Sequence, residues 1–171
     1  MPRQKVMEIM QKVRISDSKT VGKVMAAWGF WKEGNSSVVN SHKALIYHSE
    51  LGKVEKCKGF WRVKGCESEW KEHAQLLTEL LAGILIEYPQ SIIYREHFIK
   101  EVGLRPDAII LNIHEGKGRC IIYEVMLNET EEYFRQKENA WKQWPQAKEY
   151  LSNLFGYKIK SFTVKGIRNE H

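Results

Sequence analysis

The apolar residues in the first third of the chain recur at helical spacing in three segments. PRQKVMEIMQKVR and SKTVGKVMAAWGF each carry apolar positions three and four residues apart, which predicts two amphipathic helices. Asp17 or Ser18 can cap the second helix, because a side-chain oxygen there accepts a hydrogen bond from the first helical turn. After a polar link, SVVNSHKALIYHSEL predicts a third helix. Three short helices therefore open the chain.

The pattern changes to alternation after the third helix. KVEKCKG and FWRVKG alternate polar and apolar residues around Lys58 and Gly59, which predicts a β-hairpin. In the third helix, the side chains expected to face the core are Val38, Ala44, Leu45 and Leu51. Those expected to stay exposed are Ser37, Asn40, Ser41 and Lys43.

The rest of the chain begins with a strong helical pattern and continues with strand-like runs. EWKEHAQLLTELLAGILIEYP predicts an amphipathic helix. The strand-like runs that follow are SIIYREHFI, RPDAIILNIH and GRCIIYEVML. Since the short link EGKG joins the last two runs, we expect them to pair as an antiparallel hairpin.

A second helical pattern and a final strand complete the predicted order. Asn128 and Thr130 can cap the helix TEEYFRQKENAWKQW, and Pro145 is expected to restart it as a further segment. The final strand is YKIKSFTVKGI. Trp141 and Trp144 flank the break between the helical segments, and we expect them in the core rather than as platforms for base stacking. The predicted order is helix, three strands, helix, strand.

Length and cysteine content restrict the class of protein. A chain of 171 residues can bury a substantial core. Its three cysteines form no CxxC spacing, which argues against a disulfide framework and against a structural zinc site: Cys57, Cys66 and Cys120. No segment has the apolar run of a secretory signal or of a membrane span, so we expect a cytoplasmic protein with no membrane partner.

The net charge of +6 is distributed unevenly. Residues 1–65 hold 13 Lys and Arg against 5 Asp and Glu, a net charge of +8. Residues 66–171 hold 14 against 16, a net charge of −2. A small basic unit beside a slightly acidic one is typical of a polyanion-binding module attached to another domain.

Residues 3 to 65 resemble the winged helix-turn-helix class of DNA-binding domains, above all where ALIYHSELGKVEKCKGFWRV runs from a helix into a wing. The resemblance implies a domain over residues 1–65 that binds double-stranded DNA, with its third helix in the major groove and basic wing residues on phosphates. The implied DNA-binding residues are Ser37, Asn40, Ser41, Lys43, Lys56, Lys58 and Arg62. Alternatively, this surface binds a protein. A palindromic DNA site would favour a homodimer.

The later part of the chain, with RPDAIIL followed by YEV in this element order, resembles the PD-(D/E)xK nuclease superfamily over roughly residues 68 to 167. The resemblance implies an α/β (α+β) fold, in which the winged helix-turn-helix precedes a restriction-endonuclease-like αβββαβ core with a central mixed sheet. That core would occupy residues 66–171. A winged helix before such a core is similar to the replication-relaxation proteins of mobile elements.

In that superfamily three acidic residues bind a divalent metal, and their matches here are Asp107, Glu124 and Glu79, with Glu72 as an alternative to Glu79. Hairpin pairing can bring Asp107 and Glu124 together on one face of the sheet. Carboxylate oxygens suit Mg²⁺ or Mn²⁺, and no organic cofactor is expected. Both strand faces around Glu124 are apolar, so its carboxylate should be partly buried and should need a metal or a cationic partner.

The superfamily's lysine, which orients or activates the attacking water, is missing from its usual place. Two residues after Glu124 the chain carries Met126, and a thioether can neither donate a proton nor carry charge. Some members supply this lysine from the following helix, and Lys137 is the candidate here. It can reach the carboxylates only if its helix folds over the sheet.

Three hypotheses follow from these patterns. In the first, the protein belongs to the plasmid, phage or transposon type, and it nicks or cleaves DNA by Mg²⁺- or Mn²⁺-dependent phosphodiester hydrolysis. Its catalytic residues would be Asp107, Glu124, Lys137 and Glu79. In the second, the nuclease fold has lost its chemistry, and the protein is a DNA-binding regulator of replication or transcription. In the third, the winged helix binds a partner protein and no DNA.

Overall fold

The computed structural model describes residues 1–169, a mixed α/β protein whose described part contains six helices and two sheets. The helices are α1 (Pro2–Val13), α2 (Ser18–Ala27), α3 (Asn35–Glu50), α4 (Glu72–Glu87), α5 (Glu131–Lys142) and α6 (Ala147–Phe155). The strands are β1 (Ile15–Ser16), β2 (Val54–Cys57), β3 (Phe60–Val63), β4 (Ile92–Arg95), β5 (Ala108–His114), β6 (Lys117–Val125) and β7 (Phe162–Ile167). The chain forms two compact units, one from Met1 to Pro89 and one from Gln90 onward.

The N-terminal unit combines α1 to α4 with a three-stranded antiparallel sheet in the order β1-β3-β2. The predicted hairpin is present, with Cys57 paired to Phe60 across its turn. The strand β1 was not predicted, because two residues are too few to show alternation. It exists because Ile15 pairs with Arg62, and Ser16 with Trp61, on the free side of β3.

Two serines on α3 are buried, which corrects the prediction that they are exposed. Ser37 is 3% exposed and Ser41 is 0% exposed. The cause is a close approach of α2 and α3: a Cβ atom at Gly22 would lie 3.1 Å from the backbone of Ser37. Small side chains are needed at such a crossing, and the Ser37 hydroxyl donates to the Gly34 carbonyl oxygen at 2.8 Å instead of facing solvent.

The solvent-facing side of α3 is more apolar than the sequence suggested. Val39 is 50% exposed, and Ile46 and Tyr47 are each 38% exposed. Leu51 was predicted to face the core and is instead 52% exposed, because it lies beyond the last helical residue. Of the predicted core residues, Ala44 and Leu45 are buried.

The helix α4 belongs to the N-terminal unit, which therefore extends beyond the predicted boundary at residue 65. The Thr78 hydroxyl donates to the Ile15 carbonyl oxygen at 2.7 Å, and the Trp28 indole donates to the Leu85 carbonyl oxygen at 2.8 Å. Both bonds tie α4 to elements at the start of the chain. The sequence predicts the helix α4 correctly but does not show which elements it packs against.

The C-terminal unit is built on a mixed four-stranded sheet in the order β4-β5-β6-β7. The pairs β4–β5 and β5–β6 are antiparallel, and β7 runs parallel to β6. One face packs against α5 and α6 in a core that includes Ile109, Ile122, Trp141, Leu151 and Phe155. Because strand side chains alternate between faces, odd-numbered β5 residues and even-numbered β6 residues lie under these helices.

No helix within residues 1–169 combines the length and the apolar character needed to span a membrane.

Candidate active site

Asp107 stands immediately before β5 and is held by the strands on either side. Its carbonyl oxygen accepts a hydrogen bond from the Glu96 backbone N–H at 2.9 Å. Its carboxylate oxygen Oδ2 accepts one from the Val125 backbone N–H at 2.6 Å. These bonds fix the carboxylate at one end of the sheet, half-buried beside β6.

Glu124 lies near the end of β6 and directly opposite Asp107. The last pair in the ladder of this hairpin is Ala108 with Tyr123, so continuing the register by one residue sets Asp107 against Glu124. Directly opposed residues of an antiparallel pair point to the same face. The two carboxyl groups are close enough for the negative charge of Asp107 to act on Glu124. Glu124 is only 3% exposed, as its apolar neighbours predicted.

Lys137, the candidate that the resemblance suggested, reaches Glu124 from α5. The cause is the position of the helix: Thr130 caps α5 five residues after β6 ends, and the helix folds back over the sheet. The Lys137 Nζ atom lies 3.0 Å from Glu124 Oε2 and 4.9 Å from the centre of the Tyr133 ring. The structure thus brings Asp107, Glu124 and Lys137 together.

Met126 occupies the position at which the resemblance would place the lysine. Its side chain is 2% exposed and lies beside Gly166 of β7 and Phe134 of α5. A Cβ atom at Gly166 would lie 3.2 Å from the Met126 Cγ atom, so Met126 packs closely against β7. It also lines a cavity of about 240 Å³ with Glu131 and Arg168. At this buried position a charged side chain without a partner would cost free energy.

The carboxylate pair is electrostatically unfavourable without a cation. Burial, followed by the negative charge of Asp107, raises the pKa of Glu124 from 4.5 to about 7, although the hydrogen bond and charge of Lys137 act in the opposite direction. Burial is the largest single effect on the pKa of Lys137 and would lower it, but the hydrogen bond to Glu124 and the charge of Glu124, together with Tyr133, outweigh burial and the pKa is raised. Lys137 is therefore a protonated ammonium at neutral pH.

Two further side chains complete the surroundings of Lys137. Tyr133 precedes it by one helical turn, and residues at this spacing contact each other, so the spacing could have identified Tyr133 from the sequence. The Glu129 carboxylate accepts hydrogen bonds from the backbone N–H groups of Leu127 and Asn128, at 2.8 and 3.1 Å. These bonds order the link between β6 and α5, and so help to set the position of Lys137.

Glu79 and Glu72, the predicted third carboxylate and its alternative, lie on α4 in the N-terminal unit and are exposed. Glu79 lines a cavity of about 400 Å³ together with Lys19 and Lys23 of α2. No set of three or more His, Cys, Asp or Glu side chains in the described residues is arranged to hold a metal ion. The candidate site in the C-terminal unit therefore contains two carboxylates.

The residues predicted to bind DNA differ in how exposed they are and in whether another side chain already pairs with them. Lys43 on α3 and Lys56 and Lys58 on the β2–β3 hairpin are exposed. Asn40 is half-buried. Arg62 is engaged within the protein, because its Nε atom lies 2.7 Å from Glu55 Oε2.

The observed division of the chain also changes the charge balance. Residues 1–89 hold 14 Lys and Arg against 10 Asp and Glu, a net charge of +4, since the approach to α4 and the helix itself add five glutamates and one lysine. Residues 90–171 hold 13 against 11, a net charge of +2. The basic excess is thus a property of residues 1–65 rather than of the whole unit.

No protein-family model, curated protein or solved structure matches this chain. Any statement of function therefore depends on the geometry of the chain itself.

The raised pKa of Glu124 predicts how stability depends on pH in the absence of metal. Between about pH 4.5 and 7 the folded protein retains a proton that the unfolded chain has lost, so the free energy of unfolding should fall as pH rises through this window. Glu124→Gln cannot titrate at this position, so its free energy of unfolding should fall less across the window, by on the order of 2 kcal/mol. Urea unfolding in EDTA at pH 5 and pH 8 measures the free energy of unfolding of both proteins. If the wild type and Glu124→Gln differ by the same free energy at both pH values, the pKa of Glu124 is not raised.

Proposed function

We propose that the C-terminal unit hydrolyses phosphodiester bonds of DNA with Mg²⁺ or Mn²⁺ and that the N-terminal unit is a winged helix that binds duplex DNA. One observation carries the proposal: Asp107, Glu124 and Lys137 converge at one end of a mixed sheet, with the lysine supplied by the following helix.

The topology supports both parts of the proposal. In the C-terminal unit, three antiparallel strands precede two helices, and the last strand adds in parallel to β6. This agrees with the strands and later helices expected of a restriction-endonuclease-like core. In the N-terminal unit, β1 joins the β2–β3 hairpin after α1, which is an arrangement typical of a winged helix.

The carboxylate pair suits a small divalent cation. Glu124 is buried against another carboxylate, and a cation between them would offset both the burial and the mutual repulsion. Mg²⁺ typically binds through one or two carboxylates and completes its coordination with waters and substrate phosphates. Asp107 and Glu124 would hold the ion, which would lower the pKa of a bound water and stabilise charge on the phosphate. The proposal uses neither Glu79 nor Glu72, since they belong to the other unit.

The chemistry assigned to Lys137 follows from its charge state. Because it is protonated at neutral pH, it cannot accept a proton from water. It can donate hydrogen bonds, and its hydrogen bond to Glu124 already fixes its position. We therefore assign Lys137 to orienting the attacking water or binding a phosphate oxygen, a purely electrostatic role.

The alternative function is a catalytically inactive, DNA-binding regulator of replication or transcription. A specific observation favours it: Lys137 already neutralises Glu124, and the Val125 N–H already satisfies one oxygen of Asp107. Such a pair can persist without a metal. The two functions therefore differ in whether a divalent cation can compete with the ammonium group for Glu124.

Plasmid nicking distinguishes these functions. With Mg²⁺ or Mn²⁺, the wild-type protein should convert supercoiled plasmid to open circles, and Asp107→Asn and Lys137→Ala should each slow nicking roughly a hundredfold or more, because each removes a transition-state contact. Lys137→Arg should retain part of the activity. Lys117→Ala, at the exposed start of β6, is the matched control and should cut normally.

If the wild-type protein shifts the plasmid on a gel but leaves it intact with both metals, the inactive regulator is the correct function. If no shift occurs at low salt, both DNA-binding functions are excluded, because phosphate contacts are strongest there.

A second prediction concerns duplex binding by the N-terminal unit. Lys43→Ala or Lys58→Ala should weaken binding and reduce the slope of log affinity against log salt by about 1, the loss of one phosphate contact. Ser41→Ala is the matched control, since Ser41 is buried and should leave both quantities unchanged. Fluorescence anisotropy at several salt concentrations measures both. Equal slopes for wild type and the lysine variants would contradict this placement of DNA.

A further inference from the structure

The elbow between α5 and α6 contains a cavity of about 410 Å³, called the elbow pocket below. It lies entirely within the C-terminal unit. The side chains that define it are Trp141, Trp144, Pro145, Phe162, Lys142 and Lys148. The pocket exists because Pro145 interrupts the helical run, so that α5 ends at Lys142 and α6 begins at Ala147.

The walls of the elbow pocket are aromatic. Trp141 is 1% exposed and contacts Phe162 and Trp144, with ring centroids 5.8 Å apart in both pairs. Trp144 is half-buried: it packs against the core, as expected, and contacts the Tyr150 ring at 5.3 Å, but part of its surface stays exposed. One indole is thus fixed in the core while the other presents part of its surface to the cavity, a combination that suits stacking against a flat ring.

Apart from the Ser161 hydroxyl, the polar side-chain groups that line the pocket are indole donors and lysine cations. Within residues 1–169, neither the Trp141 nor the Trp144 indole N–H has a hydrogen-bond acceptor. None of the lining residues is acidic, and Lys142 and Lys148 stand exposed at the rim. Lys142 lies 3.4 Å from Glu138, but its side chain is 63% exposed, and such surface pairs are weak.

This combination specifies the chemistry of a ligand. A flat ring with acceptor atoms would stack on Trp144 and accept from an indole N–H, and attached phosphates would lie near the lysines. Unpaired bases of a nucleic acid strand have these properties, whereas bases within a duplex keep their faces covered. We propose that the elbow pocket binds one unpaired base of a single DNA strand, and so that the protein acts on DNA that is partly single-stranded.

The position of the pocket fits the proposed function, on which the second half of this inference depends. Trp141 follows Lys137 by four residues on α5, so the pocket begins about 6 Å along the helix from the lysine of the carboxylate site. On the sheet, Phe162 pairs with Cys120 and Gly166 pairs with Glu124, a separation of about 13 Å along β6. One DNA strand can therefore extend from the carboxylates to the pocket within a single unit.

The test measures binding of fluorescein-labelled oligothymidine by anisotropy in EDTA, where no cleavage occurs. Trp144→Ala should weaken binding roughly five- to hundredfold, the range expected for one lost base–aromatic stack, and Trp144→Phe should recover most of it. Oligonucleotides with one abasic site moved along the strand add a base-specific readout. At one position the missing base should weaken binding to wild type but not to Trp144→Ala. The abasic site and the loss of the Trp144 ring remove the same stacking contact, so the second change has no further effect.

Three results would overturn the inference. In the first, wild type and a folded Trp144→Ala bind the oligonucleotide with equal affinity. In the second, an abasic site weakens the binding of both proteins equally at every position. In the third, thymidine monophosphate saturates the wild type at the same concentrations as the oligonucleotide. Lys148→Ala, an exposed substitution that preserves the aromatic walls, should weaken binding less than Trp144→Ala while leaving the abasic pattern intact. Plasmid nicking is scored separately, so loss of nicking with intact strand binding counts against the nuclease and not against the pocket.

Discussion

The buried carboxylate of Glu124, placed beside Asp107, is the constraint on which the rest of the C-terminal unit depends. A carboxylate that is 3% exposed and adjacent to another acid is unfavourable unless a positive charge is close. Lys137 supplies that charge, and it can do so only because α5 begins soon after β6 and lies over the sheet. The ion pair at the site therefore depends on α5 following β6 directly in the chain.

The N-terminal unit is constrained by packing rather than by charge. The close approach of α2 and α3 requires Gly22 and small side chains facing it, and this turns two serines inward. The solvent-facing side of α3 then presents Val39, Ile46 and Tyr47 around Lys43. Apolar side chains can contact thymine methyl groups but cannot make bidentate hydrogen bonds to bases. If α3 enters a major groove, direct reading of bases by hydrogen bonds would depend on Asn40 and Lys43; if it does not, this face suits a protein partner.

The sequence was sufficient where a local pattern carries the information. Helical spacing identified all the main helices, the EGKG turn identified the β5–β6 hairpin, and apolar neighbours on both faces identified the burial of Glu124. The wrong predictions had two causes: Leu51 lies just beyond the end of α3, whereas the two serines of α3 are buried by contacts with other parts of the chain. Ser37 lies where the backbone of α3 approaches Gly22 of α2, a contact that no local pattern reveals. The pairing of Glu124 with Lys137 was predicted by resemblance, because spacing alone does not determine whether a helix folds over its sheet.

If Asp107 and Glu124 form a cation site, as we propose, a divalent ion must compete there with Lys137. Mn²⁺ binding without DNA tests this, and the room-temperature electron paramagnetic resonance signal of the free ion reports it. We expect one bound Mn²⁺ per chain in the wild type, loss of that ion in Asp107→Asn and in Glu124→Gln, and tighter binding in Lys137→Ala, where the competing ammonium is gone. Folded wild type and Lys137→Ala that both leave all Mn²⁺ free would contradict the proposal.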